Sequence, residues 1–411
     1  MGREQLAEIQ DRKLRQIVRY AFDKVPFYHR LYEAAGIDPD IITNTKVISR
    51  LPIVTKQQAR DVPLKDRTAV NSNPSACIPR TTSGATGIPV TILEEPKSAA
   101  RRAAIWLRRF WAYGIRPLDK ACMVIPGQHR QGILTNPSGL SGYVMKRKVL
   151  PLSLATDIHD HIRLISKWKP DVLAAPASYY RNLIRVSEET EELFSLKVAI
   201  ANGEMLDGKT RKLISDNFRT ENVFETYGAA EVGPIAWECP THSGYHINAE
   251  SLVVECLRDG EPVAVGEPGQ LCATNLYRRV TPMIRYLVGD IVTFADQECA
   301  CGRGLPLIKD KQGRALDFIV TTNGMYISHF RVMHMLEDVP GVAQYKVVQN
   351  GDRSIEVLVQ PIEGNAEQVA EGLAQRCEEL FGNMPLTIKV VDRIDVPGGQ
   401  KFRIVESRLR E

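Results

Sequence analysis

Short apolar segments alternate with helical segments between residues 78 and 295, and this alternation restricts the fold more than any other feature of the sequence. Residues 122–125 and 197–201 have the apolar composition of short strands. Residues 158–168 and 209–218 have the pattern of amphipathic helices. Because strands that alternate with helices are typical of α/β proteins, the sequence predicts an α/β sheet for most of the chain.

The pattern changes after Pro306, where strands and a single long helix follow one another without regular alternation. The predicted elements of this region are strands at 315–321, 343–349 and 354–360 and an amphipathic helix at 366–381. We therefore predict two domains, a large one over residues 1–312 and a small α+β one over residues 313–411.

Charge and hydropathy exclude several classes of protein. The 411 residues include 53 Lys and Arg against 49 Asp and Glu, a net charge of +4 with both signs interspersed. This small excess gives no support for a nucleic-acid or membrane partner. No apolar run approaches the roughly 18 residues of a membrane-spanning helix, and the charged first residues are unlike a secretion signal. We expect a cytoplasmic protein whose cysteines are buried or bind metal.

Two glycine-rich segments compete as phosphate-binding loops. The first, residues 81–89, places four hydroxyl side chains beside two glycines, so backbone N–H groups and hydroxyls can converge on an anion. The same composition also suits a surface turn.

The second segment, residues 203–210, matches the pattern G-x-x-x-x-G-K-[ST] and follows a predicted strand. Its Glu204 and Asp207 would place two carboxylates inside a loop that holds phosphates, where like charges repel. A P-loop ATPase that uses Gly203 to Thr210 is therefore the alternative function, and decoration of a helix N-terminus is the interpretation we favour.

Five motifs in a fixed order make the first loop specific. They are Thr82-Ser83-Gly84-Ala85-Thr86-Gly87-Ile88-Pro89, Glu225-Thr226-Tyr227-Gly228-Ala229-Ala230-Glu231, Arg285-Tyr286-Leu287-Val288-Gly289-Asp290, Gly313-Arg314-Ala315-Leu316-Asp317 and Gly398-Gly399-Gln400-Lys401-Phe402-Arg403. Their order resembles that of the acyl-adenylate-forming enzymes. The segments Val25-Pro26-Phe27-Tyr28, Leu51-Pro52-Ile53-Val54-Thr55-Lys56 and Cys299-Ala300-Cys301-Gly302-Arg303 are similar to the phenylacetate–coenzyme A ligase branch and the related capsule-biosynthesis-like adenylating enzymes.

The resemblance implies a large adenylating domain with β-sheets and packed helices, followed by a small mobile C-terminal domain. It implies that a carboxylate attacks the α-phosphorus of MgATP to give an acyl-adenylate and pyrophosphate, and that a thiol, by default coenzyme A, then takes the acyl group. An acyl carrier protein or an amine is the alternative acceptor. The small-molecule acid is expected to be aromatic or heteroaromatic, and a homodimer is left open.

The resemblance also implies a role for each motif. The nucleotide-binding candidates are Thr82, Ser83, Gly84, Ala85, Thr86, Gly87, Gly203, Glu204, Tyr227, Gly228, Asp290 and Arg314. Among them, Tyr227 would border the adenine and Asp290 would accept the ribose hydroxyls. Glu231 would hold Mg²⁺, because carboxylate oxygens suit this hard cation. Lys401 would bridge the attacking carboxylate and the α-phosphate, and Asp317 would be the hinge of a rotating C-terminal domain.

Soft donors in two separate segments suggest a structural zinc site. Cys239, His242 and His246 form a C-x2-H-x3-H pattern, and a C-x-C pair, Cys299 and Cys301, follows later. Thiolates and imidazole in a set of four are typical of structural Zn²⁺. Of the two histidines we favour His246, because Gly244 lets the chain bend before it. The predicted ligands are therefore Cys239, His246, Cys299 and Cys301.

Overall fold

A computed structural model describes residues 2–81, 90–125, 149–153, 158–190, 194–314, 318–322, 326–328, 332, 336, 339–362, 366–392, 394 and 405–409. The α-helices are α1 Arg3–Lys24, α2 Pro26–Ala34, α3 Lys56–Asp61, α4 Pro96–Ala112, α5 Ile158–Trp168, α6 Ala177–Thr190, α7 Gly208–Phe218 and α8 Ala366–Phe381. Short 3-10 helices span Pro39–Ile41, Thr45–Arg50 and Pro74–Ala76.

The strands fall into a large sheet, a small sheet and two hairpins. They are β1 Ile78–Thr81, β2 Thr91–Glu94, β3 Ala121–Ile125, β4 Val149–Ser153, β5 Val172–Ala175, β6 Val198–Asn202, β7 Val223–Ala229, β8 Gly233–Glu238, β9 Tyr245–Ile247, β10 Leu252–Arg258, β11 Glu261–Pro262, β12 Pro268–Asn275, β13 Tyr286–Phe294, β14 Leu307–Arg314, β15 Phe318–Val320, β16 Tyr326–Ser328, β17 Val342–Gln349, β18 Ile355–Pro361, β19 Leu386–Val390 and β20 Val405–Ser407.

The large sheet has twelve strands in the order β11-β10-β12-β13-β14-β9-β8-β7-β6-β5-β3-β4. From β4 to β7 the neighbouring strands are parallel, and β5 is buried along its whole length, as expected for a strand covered on both faces. From β7 to β11 all the neighbours are antiparallel. Strand β7 therefore lies at the boundary between a parallel and an antiparallel half, and we refer to the β7–β8 junction as the seam.

The prediction of an α/β sheet is confirmed, and most elements agree closely with the expected bounds. The helix expected at 158–168 is α5, and its buried Ile162 and Ile165 form the inner face of an amphipathic pattern. The strands expected at 122–125 and 197–201 are β3 and β6, each shifted by a residue at one or both ends.

The N-terminal segment supports the antiparallel half of the sheet. Val54 donates its N–H to Arg285 O at 2.9 Å and accepts from Leu287 N at 2.9 Å, so the segment bridges to the start of β13. The hydroxyl of Tyr28 bonds to the backbone on both sides of Met283, accepting from Ile284 N at 2.9 Å. These contacts fix the backbone that carries Tyr286, a residue of the candidate site.

The C-terminal elements have a core of their own. Strands β19-β18-β17-β20 form a four-stranded sheet, and α8 buries Val369, Leu373 and Cys377 against it. The helix predicted at 366–381 is α8, and the strands predicted at 343–349 and 354–360 are β17 and β18. Strand β14 carries the large sheet as far as Arg314, past the predicted boundary at residue 312.

Within the described part of the chain, no helix combines the length and the apolar character needed to cross a bilayer.

Candidate active site

The predicted phosphate loop connects two paired strands. Residues 82–89, which include Thr82, Ser83, Gly84, Ala85, Thr86 and Gly87, lie outside the described residues. Strands β1 and β2 on either side of it form an antiparallel hairpin that runs from the Ile78–Glu94 pair to the Thr81–Thr91 pair. The chain therefore enters and leaves this loop at adjacent points.

A buried carboxylate holds the hairpin to helix α4. Glu94 is completely buried, and its oxygens accept from Arg80 on β1 and from Arg102 Nε at 2.9 Å. Burial alone would raise the pKa of Glu94, but the hydrogen bonds and charges of Arg102 and Arg80 outweigh it and hold the pKa below its ordinary value. The ion cluster gives the strands next to the loop a fixed position and an excess of positive charge.

Tyr227 and Asp290 meet at the seam. The Tyr227 hydroxyl, on β7, donates to Asp290 Oδ2, on β13, at 2.5 Å. Asp290 is paired in register with Arg314 at the end of β14. The structure thus brings together three of the residues that the resemblance assigns to the nucleoside, and it does so with three separate strands.

The turn after Tyr227 is tightly packed. A Cβ atom on Gly228 would lie 3.0 Å from Gly233 O, so a larger residue would push the β7–β8 backbone apart. Glu231 lies in this turn with 7% of its surface exposed. Its Oε1 accepts from the Tyr286 hydroxyl at 3.1 Å, and its backbone oxygen accepts from Arg278. The carboxylate predicted to hold Mg²⁺ is therefore fixed at both its side chain and its backbone.

Two buried charges that the sequence analysis missed lie beside these residues. Lys311 Nζ contacts Glu225 Oε1 at 2.5 Å, and both side chains are almost completely buried. Glu225 is the first residue of the second motif but was given no role there, and Lys311 belongs to no motif.

The segment with the P-loop pattern caps its own helix. Asp207 is the N-cap of α7: its Oδ1 accepts from Thr210 N at 2.8 Å and its Oδ2 from Thr210 Oγ1 at 2.6 Å. Arg181 also donates to Asp207 Oδ2 at 2.7 Å. Because Thr210 is 1% exposed and satisfied by this aspartate, its hydroxyl is not presented to a nucleotide-bound metal. Gly203 and Glu204 follow β6 at its C-terminal end, before this cap.

Four predicted zinc ligands converge. The ligand atoms of Cys239, His246, Cys299 and Cys301 all lie within 4.8 Å of one another. Cys239 Sγ lies 3.6 Å from Cys299 Sγ, and Cys301 Sγ lies 3.2 Å from His246 Nε2. Four thiolate or imidazole ligands around a tetrahedral Zn²⁺, with Zn–S of about 2.3 Å, would be separated by about 3.8 Å, so the residues fit this ion.

The two candidate histidines have different surroundings. His246 is fully buried, and burial together with the nearby Arg303 lowers its pKa to about 4, which keeps the imidazole neutral as a metal ligand must be. His242 instead contacts Glu238 Oε1 through Nδ1 at 2.8 Å. A Cβ on Gly244, whose φ is +133°, would lie 2.6 Å from Ile308 O, so the bend between the histidines requires glycine.

The remaining predicted residues cannot be placed in the same way. Lys401 and Asp317 lie outside the described residues. For Arg314 the structure gives the strand position and backbone register only.

The chain has relatives among known proteins. No family model matches the chain. A phenylacetate–coenzyme A ligase of Escherichia coli is 30% identical over 303 residues, which are 70% of this chain and 67% of that protein. Another, from Thermus thermophilus, is 27% identical over 367 residues, 85% of this chain and 79% of that protein.

Solved structures have the same fold. A 2-hydroxyisobutyryl-CoA ligase in the postadenylation state, in complex with R3-HIB-AMP, superposes with a TM-score of 0.78 at 20% identity, over 99% of this chain and 90% of that chain. With an E. coli relative at this level of identity and coverage, the chain belongs to the phenylacetate–coenzyme A ligase family of acyl-adenylate-forming enzymes.

Proposed function

We propose that this protein activates a small carboxylic acid with MgATP and transfers the acyl group to coenzyme A. The observation that carries the proposal is the convergence of Tyr227, Gly228, Glu231 and Asp290 at the seam, in the order and spacing of the family motifs. The relatives from E. coli and T. thermophilus, which are named as phenylacetate–coenzyme A ligases, support this class of acid and acceptor.

The first half-reaction forms an acyl-adenylate. A carboxylate oxygen attacks the α-phosphorus of ATP, a new P–O bond forms, and the bond to the β-phosphate breaks with loss of pyrophosphate. Tyr227 borders the adenine, and Asp290 accepts hydrogen bonds from the ribose. Glu231 would hold Mg²⁺, which neutralises charge on the phosphates. Lys401 contacts the reacting carboxylate and phosphate and stabilises the charge that develops between them.

The second half-reaction transfers the acyl group. The thiol of coenzyme A loses its proton and attacks the acyl carbon, the C–S bond forms, and AMP leaves. We infer that rotation of residues 318–411 about a hinge near Asp317 separates the two half-reactions, because Arg314 is still held in the large sheet while the following elements have their own core.

The cysteine–histidine cluster is proposed as a structural zinc site. Cys239 and Cys299 are buried, and the cluster lies beside β9 and β14, next to the strands that carry the site. When bound, Zn²⁺ would join two loops of the antiparallel half. Four protein ligands leave no open coordination position, so a catalytic role is not proposed.

Pyrophosphate release tests the main proposal. The purified protein is incubated with MgATP and a panel of aromatic, heteroaromatic and aliphatic acids, with and without coenzyme A, and products are identified by mass spectrometry. We expect pyrophosphate only when an acid is present, acyl-AMP without coenzyme A, and an acyl thioester with it. Acid-independent release of orthophosphate would contradict the proposal. If coenzyme A does not consume the acyl-adenylate, the acceptor would instead be a carrier protein or an amine.

A further inference from the structure

The buried pair of Lys311 and Glu225 lies within the candidate site, although no motif includes either as a functional residue. Lys311 is on β14 and 6% exposed, and Glu225 is on β7 and 1% exposed. They are 86 residues apart in the chain and 2.5 Å apart in space. A buried ion pair is weak evidence for stability, because desolvation of both charges offsets their attraction. Its position relative to the nucleotide residues is more informative.

Glu225 organises the loop that follows β6. Besides Lys311, its Oε1 accepts from Leu206 N at 3.1 Å, and its Oε2 accepts from the Tyr245 hydroxyl at 2.7 Å. Leu206 belongs to the same short loop as Gly203 and Glu204, both nucleotide-binding candidates. The loop is thus held by a carboxylate whose charge is balanced by Lys311.

Lys311 also faces the aromatic ring that borders the nucleoside. Its Nζ lies 5.8 Å from the centroid of the Tyr227 ring and 5.2 Å from that of Tyr245, within the range of a cation–π contact. The Tyr227 hydroxyl is held by Asp290. The ring is therefore located from two directions, by an ammonium group near its face and by a carboxylate at its hydroxyl.

We propose that Lys311 is a positioning residue for ATP, which through Glu225 and Tyr227 holds the loop at 203–206 and the adenine-side ring in the arrangement that accepts the nucleotide. The kinetic test of this inference rests on the proposed function, whereas the ATP-binding test does not. Without the ammonium group, the carboxylate of Glu225 would be buried with no ion-pair partner among the described residues. Its bonds to Leu206 and Tyr245 would then rearrange.

The test is Lys311→Met, assayed for pyrophosphate release and for direct binding of ATP by calorimetry in the absence of any acid. We expect the Kd and KM for ATP to rise about tenfold or more, with kcat and the KM for the acid changed less than about threefold. Lys311→Arg keeps the charge and should recover most of the affinity. Unchanged ATP binding by folded Lys311→Met would overturn the proposal.

Lys197→Met is the matched control. Lys197 pairs with Asp119 at 2.7 Å beside the same sheet, at the start of β6 and away from the seam. Lys197→Met should leave the ATP affinity unchanged. An equal loss of ATP affinity in Lys197→Met and Lys311→Met would mean that Lys311 acts only on the stability of the fold.

A double variant covers the case in which Lys311→Met does not fold. Glu225→Gln with Lys311→Met removes both charges and leaves an amide oxygen to accept from Leu206. We expect it to unfold near the wild-type temperature and still bind ATP weakly, because Tyr227 lacks its ammonium neighbour. Wild-type ATP affinity in this folded variant would overturn the proposal. Because ATP binding is measured without acid, this test can be interpreted even if the wild-type protein activates no acid.

Discussion

The hydroxyl of Tyr227 and the carboxylate of Asp290 meet although 63 residues separate them in the chain. The contact orients the ring at the place where the adenine is proposed to bind, and it fixes the carboxylate that is proposed to bind the ribose. The aromatic ring supplies the stacking surface, and the hydroxyl supplies its alignment. These two contributions can be separated by a single substitution.

Tyr227→Phe keeps the ring and removes its hydrogen bond. We expect the KM for ATP to rise about three- to tenfold, as for loss of one hydrogen bond of about 1 kcal/mol, with kcat nearly unchanged. Steady-state pyrophosphate release at varied ATP checks this. Tyr20→Phe, which removes an exposed hydroxyl bonded to Asn71, is the control and should leave this KM unchanged. An equal change in the KM for the acid would contradict the assignment of Tyr227 to the nucleoside.

Arg109 on α4 has an unusual environment among the described residues. It is 4% exposed, its guanidinium lies 3.5 Å from the centroid of the Trp106 ring, and its Nε and Nη1 have no hydrogen-bond partner in the described structure. Burial lowers the pKa of Arg109 to about 9. The folded state therefore disfavours the charged guanidinium of Arg109, whereas the unfolded chain leaves it hydrated.

Arg109→Met should raise the midpoint of urea unfolding at pH 7, because a buried charge that has no ion-pair partner among the described residues is replaced by an apolar side chain. The folded pKa lies below the unfolded one, so the unfolded state binds more protons between them. The wild type should therefore gain stability as the pH rises above about 9, and the variant should not. Arg108→Met is the control: Arg108 bonds Asn248 and Glu250, so its loss should destabilise. A lower midpoint for Arg109→Met would contradict the expectation.

At the residue scale, the sequence identified groups that belong to motifs and missed those that do not. Tyr227, Glu231 and Asp290 could be named because fixed neighbours accompany each of them. Lys311 belongs to no motif, and Glu225 begins one without an assigned role, because their relation exists only after β14 has been placed between β13 and β9. No local spacing encodes a contact between strands that are so distant in the chain.

At the scale of elements, β9 joins two parts of the molecule. Successive residues of a strand point to opposite faces, so Tyr245 reaches Glu225 while His246 reaches the cysteine cluster. Strand β14, on one side of β9, carries Lys311 of the Glu225 network. Strand β8, on the other side, ends just before Cys239 of the cysteine cluster. The cysteine–histidine cluster and the network around Glu225 are therefore supported by the same backbone.

The zinc site is tested by metal analysis. Purified protein is expected to contain about one equivalent of Zn²⁺, and Cys301→Ser should reduce both the metal content and the unfolding temperature. His242→Ala is the matched control, since His242 contacts Glu238 and should leave the metal content unchanged. Less than half an equivalent in wild-type protein purified without chelator would remove the zinc proposal.

At the scale of the whole molecule, the fold class was predictable and the strand order was not. Alternating apolar segments identify strands and helices, because a strand buried on both faces leaves a short apolar run and a helix buried on one face leaves a helical period. The insertion of β14 between β13 and β9 leaves no such record. It became visible only in the structure, as did the extension of the large sheet to Arg314.

Lys401→Ala tests the proposed division of labour between the two domains. We expect acid-dependent pyrophosphate release to fall about a hundredfold or more, because a charge-stabilising contact is lost. Transfer from a supplied acyl-adenylate to coenzyme A should stay within about threefold. Lys389→Ala, which removes an exposed partner of Glu356 in the small sheet, is the control and should affect neither step. Equal loss of both half-reactions would contradict the assignment.

The position of β14 also has a consequence for how the chain acquires its structure. The strands from β3 to β9 and from β10 to β13 are synthesised before Leu307, but they become one continuous sheet only when β14 pairs with β9 on one side and β13 on the other. We therefore expect this pairing to be a late step of folding, since it joins segments far apart in sequence. Until then two open strand edges are exposed to aggregation, and the Lys311–Glu225 contact cannot form.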